Sequence, residues 1–319
     1  MNSYIDVKEI LDRKEECAKV YWTTRVSDAM SKVLVTGSSG FIGRNVVRFL
    51  SKCGHQVMKF DLQCGKNICK VEDLNDVLTN NIGNIDCVIN LAARVSVSDS
   101  IINPDQTHEV NIDGTKNVIE FCKSNDIRLI HASSAAVYGS CEQMPLKELQ
   151  AGDLKSPYAA SKWQNELDIR EASRDGLEAV CLRFFNVYGI GQQVSGGYPA
   201  VIPQWKYCIE NKKQAVIFGN GLQTRDFIHI NDICELIAIL ISIDWKNVKH
   251  HAYNVATGKS TNLIELWNLM SNKNTPLVFK PPRGGDIQNS VADISQASID
   301  FNWNPKINLA DGISALMEE

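Results

Sequence analysis

The sequence predicts an α/β protein built on a doubly wound parallel sheet, and three observations carry that expectation. From residue 33 onward, short and wholly apolar runs alternate with longer stretches of helical periodicity, as parallel strands buried on both faces and their crossover helices do. The first such run, Val33-Leu34-Val35, leads directly into a glycine-rich turn, Thr36-Gly37-Ser38-Ser39-Gly40-Phe41-Ile42-Gly43. The next apolar strand, Gln56–Phe60, ends at Asp61, 18 residues after Gly43.

Size and composition narrow the function classes. A chain of 319 residues can bury a large core, as one big domain or two smaller lobes. Its 44% hydrophobic and 22% charged residues are those of a water-soluble globular protein, and its net charge is −4 with no long basic run. Neither nucleic acid nor an anionic membrane surface is therefore expected as a partner. No apolar run reaches the length of a membrane span, and the charged start MNSYIDVKEILDRKEECAK lacks the apolar stretch of an export signal. The ten cysteines are scattered, without CxxC spacing, so no metal site is expected and they read as reduced thiols in a cytoplasmic protein.

Taken in order, residues 1–31 stand apart as an N-terminal extension. Val7, Ile10 and Leu11 could line one face of a short helix there, and Met30-Ser31-Lys32 reads as a second start. The strand at Val33 and the helix carrying Asn45-Val46-Val47-Arg48-Phe49-Leu50 then flank the glycine turn. Glycines at such a turn let the backbone approach a pyrophosphate, and the helix N-terminus offers free N–H groups and positive dipole. Asp61 falls where an acidic side chain accepts the ribose hydroxyls and repels a 2′-phosphate, which favours NAD over NADP. A further strand, 86–91, runs into the small residues Ala92-Ala93, and a helical pattern over 104–122 carries Asn111, Gly114, Thr115 and Asn117.

The strand Arg128-Leu129-Ile130-His131-Ala132 ends in Ser133-Ser134-Ala135-Ala136-Val137-Tyr138-Gly139. Hydroxyls just past a strand's carboxyl end sit where an open α/β sheet binds ligand, although a turn or capping role suits them equally. His131 is expected to pack beneath the sheet. Next comes Ser156-Pro157-Tyr158-Ala159-Ala160-Ser161-Lys162, followed by the strand Ala179–Phe184. Residues four apart on a helix share a face, so Tyr158 and Lys162 can reach one reacting atom. A fixed ammonium there favours the phenolate and brings a phenol pKa of about 10 toward the working pH.

These residues together resemble the extended short-chain dehydrogenase/reductase superfamily and, within it, the NAD-dependent nucleotide-sugar epimerase/dehydratase family. The likeness runs from about Lys32 to Leu316. It rests on Gly37/Gly40/Gly43, Leu91-Ala92-Ala93, Asn111, the Ser133–Gly139 string, Tyr158/Lys162 and Leu182-Arg183-Phe184-Phe185-Asn186-Val187-Tyr188-Gly189. Gln223-Thr224-Arg225-Asp226-Phe227, Arg283-Gly284-Gly285-Asp286, Ala292-Asp293 and Trp303-x-Pro305 complete it. The implied architecture is a Rossmann-type doubly wound parallel sheet from residues 32–185 plus about 219–256. A smaller C-terminal α/β substrate lobe would come from about 186–218 plus 257–319.

The resemblance also implies roles. Tyr158 is the expected base, Lys162 its electrostatic partner, and Ser134 the hydroxyl on the substrate oxygen. NAD contacts are expected from Gly37, Ser39, Gly40, Phe41, Ile42, Gly43, Asp61, Leu91, Ala92, Ala93, Asn111, Tyr158, Lys162 and Phe185. Asn67-Ile68, where the family often has Asp-Ile, would lie near the adenine. Asn90, often histidine, reads as local packing. Asn186, Arg225 and Arg283 are expected to hold a uridine diphosphate, with Ser96, Ala200, Val201, Phe218, Gly219, Asp286 and Ser290 around the rest of the substrate. The helices around 104–122 and 157–174 are the expected surfaces of a homodimer.

Dehydratases of this family usually carry Asp-Glu after the catalytic hydroxyl, and decarboxylating relatives usually carry Glu there. Ala135-Ala136 can transfer no proton, which leaves reversible oxidation at C4. The segment Val187–Gln193 through Gly196-Gly197-Tyr198-Pro199-Ala200-Val201-Ile202-Pro203 looks most like the 4-epimerases acting on UDP-N-acetylglucosamine. Ser290 and Ala200, small where relatives restricted to UDP-glucose are larger, suit a 2-acetamido group. The competing expectations are a nucleotide-sugar 4-ketoreductase of deoxysugar synthesis and a catalytically silent NAD-binding regulator.

Overall fold

A computed structural model describes residues 30–80, 85–194, 200–271, 275–284 and 286–318. The expected helix face at Val7, Ile10 and Leu11, the Gly196–Pro199 stretch and Gly285 lie outside the described residues.

Six strands form one parallel sheet: β1 (Lys32–Thr36), β2 (Gln56–Phe60), β3 (Cys87–Asn90), β4 (Arg128–Ser134), β5 (Ala179–Phe184) and a later strand (Ala252–Val255), in the order β2-β1-β3-β4-β5 and then that last strand. Val35 lies opposite Lys59 on one side and Ile89 on the other. Every residue of β3 and β5 is buried, which is why they show no two-residue alternation, and their polar residues Asn90 and Arg183 are buried with partners. The alternation is instead between two cores. Val33, Val35, Ile89, Val180 and Leu182 face one, with Val46, Leu50, Ile233, Leu236 and Ile237 from helices. Leu34, Val88, Leu129 and Cys181 face the other, with Leu74, Val118, Phe121 and Ile169. Each such aliphatic side chain contributes about 1.5–3 kcal/mol by leaving water.

The chain passes from β1 to β2 on one side, whereas β3 lies on the other. Strand order therefore reverses between β1 and β3 and opens a crevice beyond their carboxyl ends. The helix Phe41–Lys52 starts at that crevice, and the helix Pro157–Arg174 packs across β4 and β5.

A third core gathers Ile202, Trp205, Ile209, Ile217, Leu266, Trp267, Ile313 and Leu316, with the indoles of Trp205 and Trp267 edge to face at 5.2 Å. It backs small two-stranded pairings: Ala215–Phe218 with Leu277–Lys280, and Thr224–Arg225 with Thr261–Asn262. Ala297, Phe301 and Trp303 pack instead into the core under the main sheet.

The expected single helix over 104–122 is three pieces: helix Pro104–His108, a π turn Glu109–Asp113 and helix Gly114–Ser124. The widened turn aims Asn111 inward to partners described below. Among the described residues no helix is long and apolar enough to cross a membrane, and no group of three or more His, Cys, Asp and Glu could hold a metal ion.

Candidate active site

The glycine turn is built so that only glycine fits. Gly37 has φ +64°, and a Cβ on it would stand 2.7 Å from the backbone N of Ala92. A Cβ on Gly43 would fall 2.1 Å from the Gly37 carbonyl oxygen. Gly40 precedes the helix, and no side chain caps that N-terminus. Phe41 and Ile42 pack their side chains against the sheet core, so only their backbone faces the crevice. The Ser38 hydroxyl is buried in this turn without a protein partner. Across the crevice, the N–H groups of Leu91 and Ala92 both donate to Thr36 Oγ1 at 3.2 Å, which fixes the Leu91-Ala92-Ala93 edge.

Asp61 ties the turn to β2, accepting from the Ser39 N–H at 3.0 Å on one oxygen and from the Gln63 N–H at 3.0 Å on the other. Asn67 accepts from the Cys69 N–H at 3.0 Å, and the Ile68 side chain is buried in the second core. An exposed rim from Asp61 to Asn67, a narrow glycine cradle and a free helix N-terminus fit an adenine dinucleotide.

Two expected cofactor contacts have other work. Asn111 is fully buried, and its side chain accepts from the Arg94 N–H and donates to the Arg94 carbonyl and the Ser161 hydroxyl. Both amide hydrogens are thereby used, so Asn111 straps the loop after β3 to the Tyr158 helix rather than offering a side chain to a ligand. The Phe185 ring lies in a core cluster 6.0 Å from Tyr138. His131 is fully buried as expected, with Asn90 at 3.1 Å and Asn165 at 3.4 Å, and burial keeps it far below the usual imidazole range.

Ser156 caps the Tyr158 helix by accepting from the Ala159 N–H at 3.1 Å, with Pro157 as the first helical residue. The Tyr158 N–H donates to Ser100 Oγ at 3.1 Å. Tyr158 and Lys162 are 8% and 3% exposed. Ser134 accepts from the Ala136 N–H at 3.2 Å, and its hydroxyl lies close enough to the Tyr158 phenol to favour the phenolate. The electrostatics differ from expectation. Burial pushes the Tyr158 phenol up, opposed by Ser134. Lys162 donates instead to the Ala132 carbonyl at 2.8 Å, and burial pushes its own pKa down to about 8, with Cys181 and Glu166 opposing. The reason is desolvation, which penalises both charged forms more than the pair repays.

A cleft of about 190 Å³ lies on the small-lobe side and brings together Asn186, Val201, Phe218, Arg225, Arg283 and Asp286. Arg225 is held by Asp286 at 2.6 Å and by the carbonyls of Thr224 and Ile287. The Arg283 guanidinium stacks 3.7 Å over the Phe218 ring. Gln204, Val216, Gln223 and Leu263 also line the cleft and were not expected. Val216 is readable from the two-residue period of its strand, which puts it on the face of Phe218. Ala200, Gly219, Ser96 and Ser290 do not line the cleft. Ala200 precedes the helix Val201–Glu210, Gly219 turns at φ +80°, Ser96 caps the helix Val97–Ile102, and Ser290 is buried.

A Rossmann-type sheet with Ser134, Tyr158 and Lys162 at its carboxyl edge defines an extended short-chain dehydrogenase/reductase. The NAD dependent epimerase/dehydratase family matches residues 33–256, and the chain belongs to that family, with NAD as its cofactor. A UDP-glucose 4-epimerase of Neisseria meningitidis serogroup C is 28% identical over 320 residues, covering 88% of this chain and 94% of its own. The crystal structure of Thermotoga maritima UDP-glucose 4-epimerase with UDP-glucose has a TM-score of 0.83 at 26% identity, over 90% of this chain and 97% of that one. The UDP-N-acetylglucosamine 4-epimerase of Methanobrevibacter ruminantium M1, in complex with UDP-N-acetylmuramic acid, has a TM-score of 0.81 at 31% identity, over 91% of this chain and 97% of that one.

Proposed function

We propose that the protein is a UDP-hexose 4-epimerase that interconverts UDP-N-acetylglucosamine and UDP-N-acetylgalactosamine and also accepts UDP-glucose and UDP-galactose. One observation carries the reaction type. Tyr158 faces Ser134 and stands one helical turn from Lys162, while the two positions after Ser134 are alanines. A single acid/base at one carbon suits oxidation and return at C4, not proton transfers at C5 and C6.

The cradle at Gly37, Gly40 and Gly43, with Asp61 and the Leu91–Ala93 edge, holds the dinucleotide. NAD, when bound, accepts the C4 hydride and later gives it back. Ser134 hydrogen-bonds O4, and Tyr158, reacting as the phenolate, takes the O4 proton on Oη and becomes the neutral phenol as the C4 hydride leaves, which gives a 4-keto sugar. Arg225, Arg283 and Asn186 keep the uridine diphosphate in the cleft while the sugar turns its other face to the site. Tyr158 then returns the proton to O4, so atoms and electrons balance with no added reductant. Residues 32–185 with about 219–256 serve the cofactor, and about 186–218 with 257–319 serve the nucleotide sugar. The acetamido preference draws on the likeness to the Methanobrevibacter enzyme. For a homodimer face, the exposed Val97, Ile101 and Ile102 beside the Pro104–His108 helix are the support. Incubation with each UDP-hexose, followed by sugar analysis, tests the reading. Galacto epimers of both gluco substrates are expected, and failure with both excludes it.

A further inference from the structure

Tyr158, Lys162 and Glu166 are spaced four apart on one face of the Pro157–Arg174 helix, and all three reach the end of β4, the last two by hydrogen bonds. Tyr158 meets Ser134, Lys162 donates to the Ala132 carbonyl at 2.8 Å, and Glu166 Oε1 accepts from Ser133 Oγ at 2.5 Å. The third rung is also an ion pair. Arg183 on β5, opposite Ser133 in the sheet, donates Nε and Nη2 to the two Glu166 oxygens at 2.9 and 2.6 Å. Both side chains are 1% exposed. Arg183 continues to Tyr138 Oη at 2.9 Å, and Tyr138 donates to Asn254 at 2.5 Å.

A buried pair of this kind is poorly explained by stability, because desolvation costs several kcal/mol per ion and an apolar replacement is often as stable. Its geometry is better suited to fixing register. A slip of the helix along β4 would separate Tyr158 from Ser134, and the bidentate Glu166–Arg183 fork resists that slip. We propose that Glu166, clamped by Ser133 and Arg183, is a positioning residue of the epimerase reaction: it sets the helix-to-strand register and keeps its carboxylate one helical turn from Lys162. This rests on the 4-epimerase reading. One turn from Lys162 on the same helix face, the Glu166 carboxylate favours the ammonium, and with Cys181 it opposes the burial that lowers Lys162 to about 8.

Three variants separate the roles. Ser133→Ala keeps the charges and removes the strand tether, so kcat should fall about tenfold with KM, NAD content and pH profile unchanged. Glu166→Gln keeps the tether's shape and removes the charge, so Lys162 should titrate about one pH unit lower, with the alkaline limb of kcat/KM following it. Because Glu166→Gln leaves Arg183 unpaired, the neutralised pair Glu166→Gln/Arg183→Gln is the companion for that measurement. Lys162 titration is read by NMR of the protein as purified, independently of turnover. Wild-type kcat in Ser133→Ala together with an unmoved Lys162 in the charge variants would overturn the proposal. If wild-type protein epimerises no UDP-hexose, the functional reading fails, while the NMR titration still decides whether Glu166 holds the Lys162 charge.

Discussion

At Tyr158 the surrounding protein opposes the chemistry it hosts. Burial favours the neutral phenol, and Ser134 is the group that counters it. Tyr158→Phe should fold normally, retain NAD and lose about a thousandfold in kcat, as removal of a general base does. Lys162 supplies a pH signature. Its folded pKa, about 8, lies below the 10.5 of the free side chain, so it is an ammonium below pH 8 and an amine above it. The alkaline limb of kcat/KM should therefore begin near pH 8, and Lys162→Arg, always charged, should remove that limb even where it lowers turnover. The linkage has a definite sign. The unfolded chain binds this proton more tightly, so folding gains stability as pH rises from about 8 to 10.5 and carries the full cost below 8. The Tyr-Lys spacing was legible in the sequence, but the direction of the pKa shifts was not. Desolvation depends on what encloses a side chain, which no local spacing encodes.

Between the elements, two polar knots hold the site's walls. Asp226 is wholly buried and accepts from the N–H groups of Thr257, Gly258 and Ala292 and from the Thr257 hydroxyl. It joins the strand bearing Arg225 to the segments that close the substrate lobe. Asp226→Asn presents an amide to donors and should cost about 3 kcal/mol, read as a lower urea midpoint at unchanged slope. A change within 0.5 kcal/mol would show that the knot is not what joins these segments. Asn111 is the other knot, and its bonds to Arg94 and Ser161 were invisible in the sequence. Five of the six main-sheet strands were legible to within two residues, and β3 and β5, buried along their whole length, left clear runs, whereas Ala252–Val255 was not picked out. Thr224–Arg225 and Thr261–Asn262 pair over two residues, too few for any period to show. Gln204 and Gln223 reach the cleft only through the packing of the small lobe, so their role escaped the sequence.

Across the whole molecule, the cofactor crevice between β1 and β3 and the cleft at Arg225 and Arg283 flank the Tyr158 group. NAD regenerated in each cycle has no need to leave, and a cradle this close-fitting should retain it through purification. Gly43→Ala, whose methyl meets the Gly37 carbonyl, should yield protein without bound NAD, as judged by absorbance and enzymatic assay after denaturation. The most direct test of the central claim is turnover of UDP-N-acetylglucosamine by the purified protein with no NAD and no reductant added. The account predicts accumulation of UDP-N-acetylgalactosamine to a fixed equilibrium ratio, approached equally from either sugar. Conversion that stops after one equivalent of sugar per enzyme, or that proceeds only with added reduced cofactor, would contradict it.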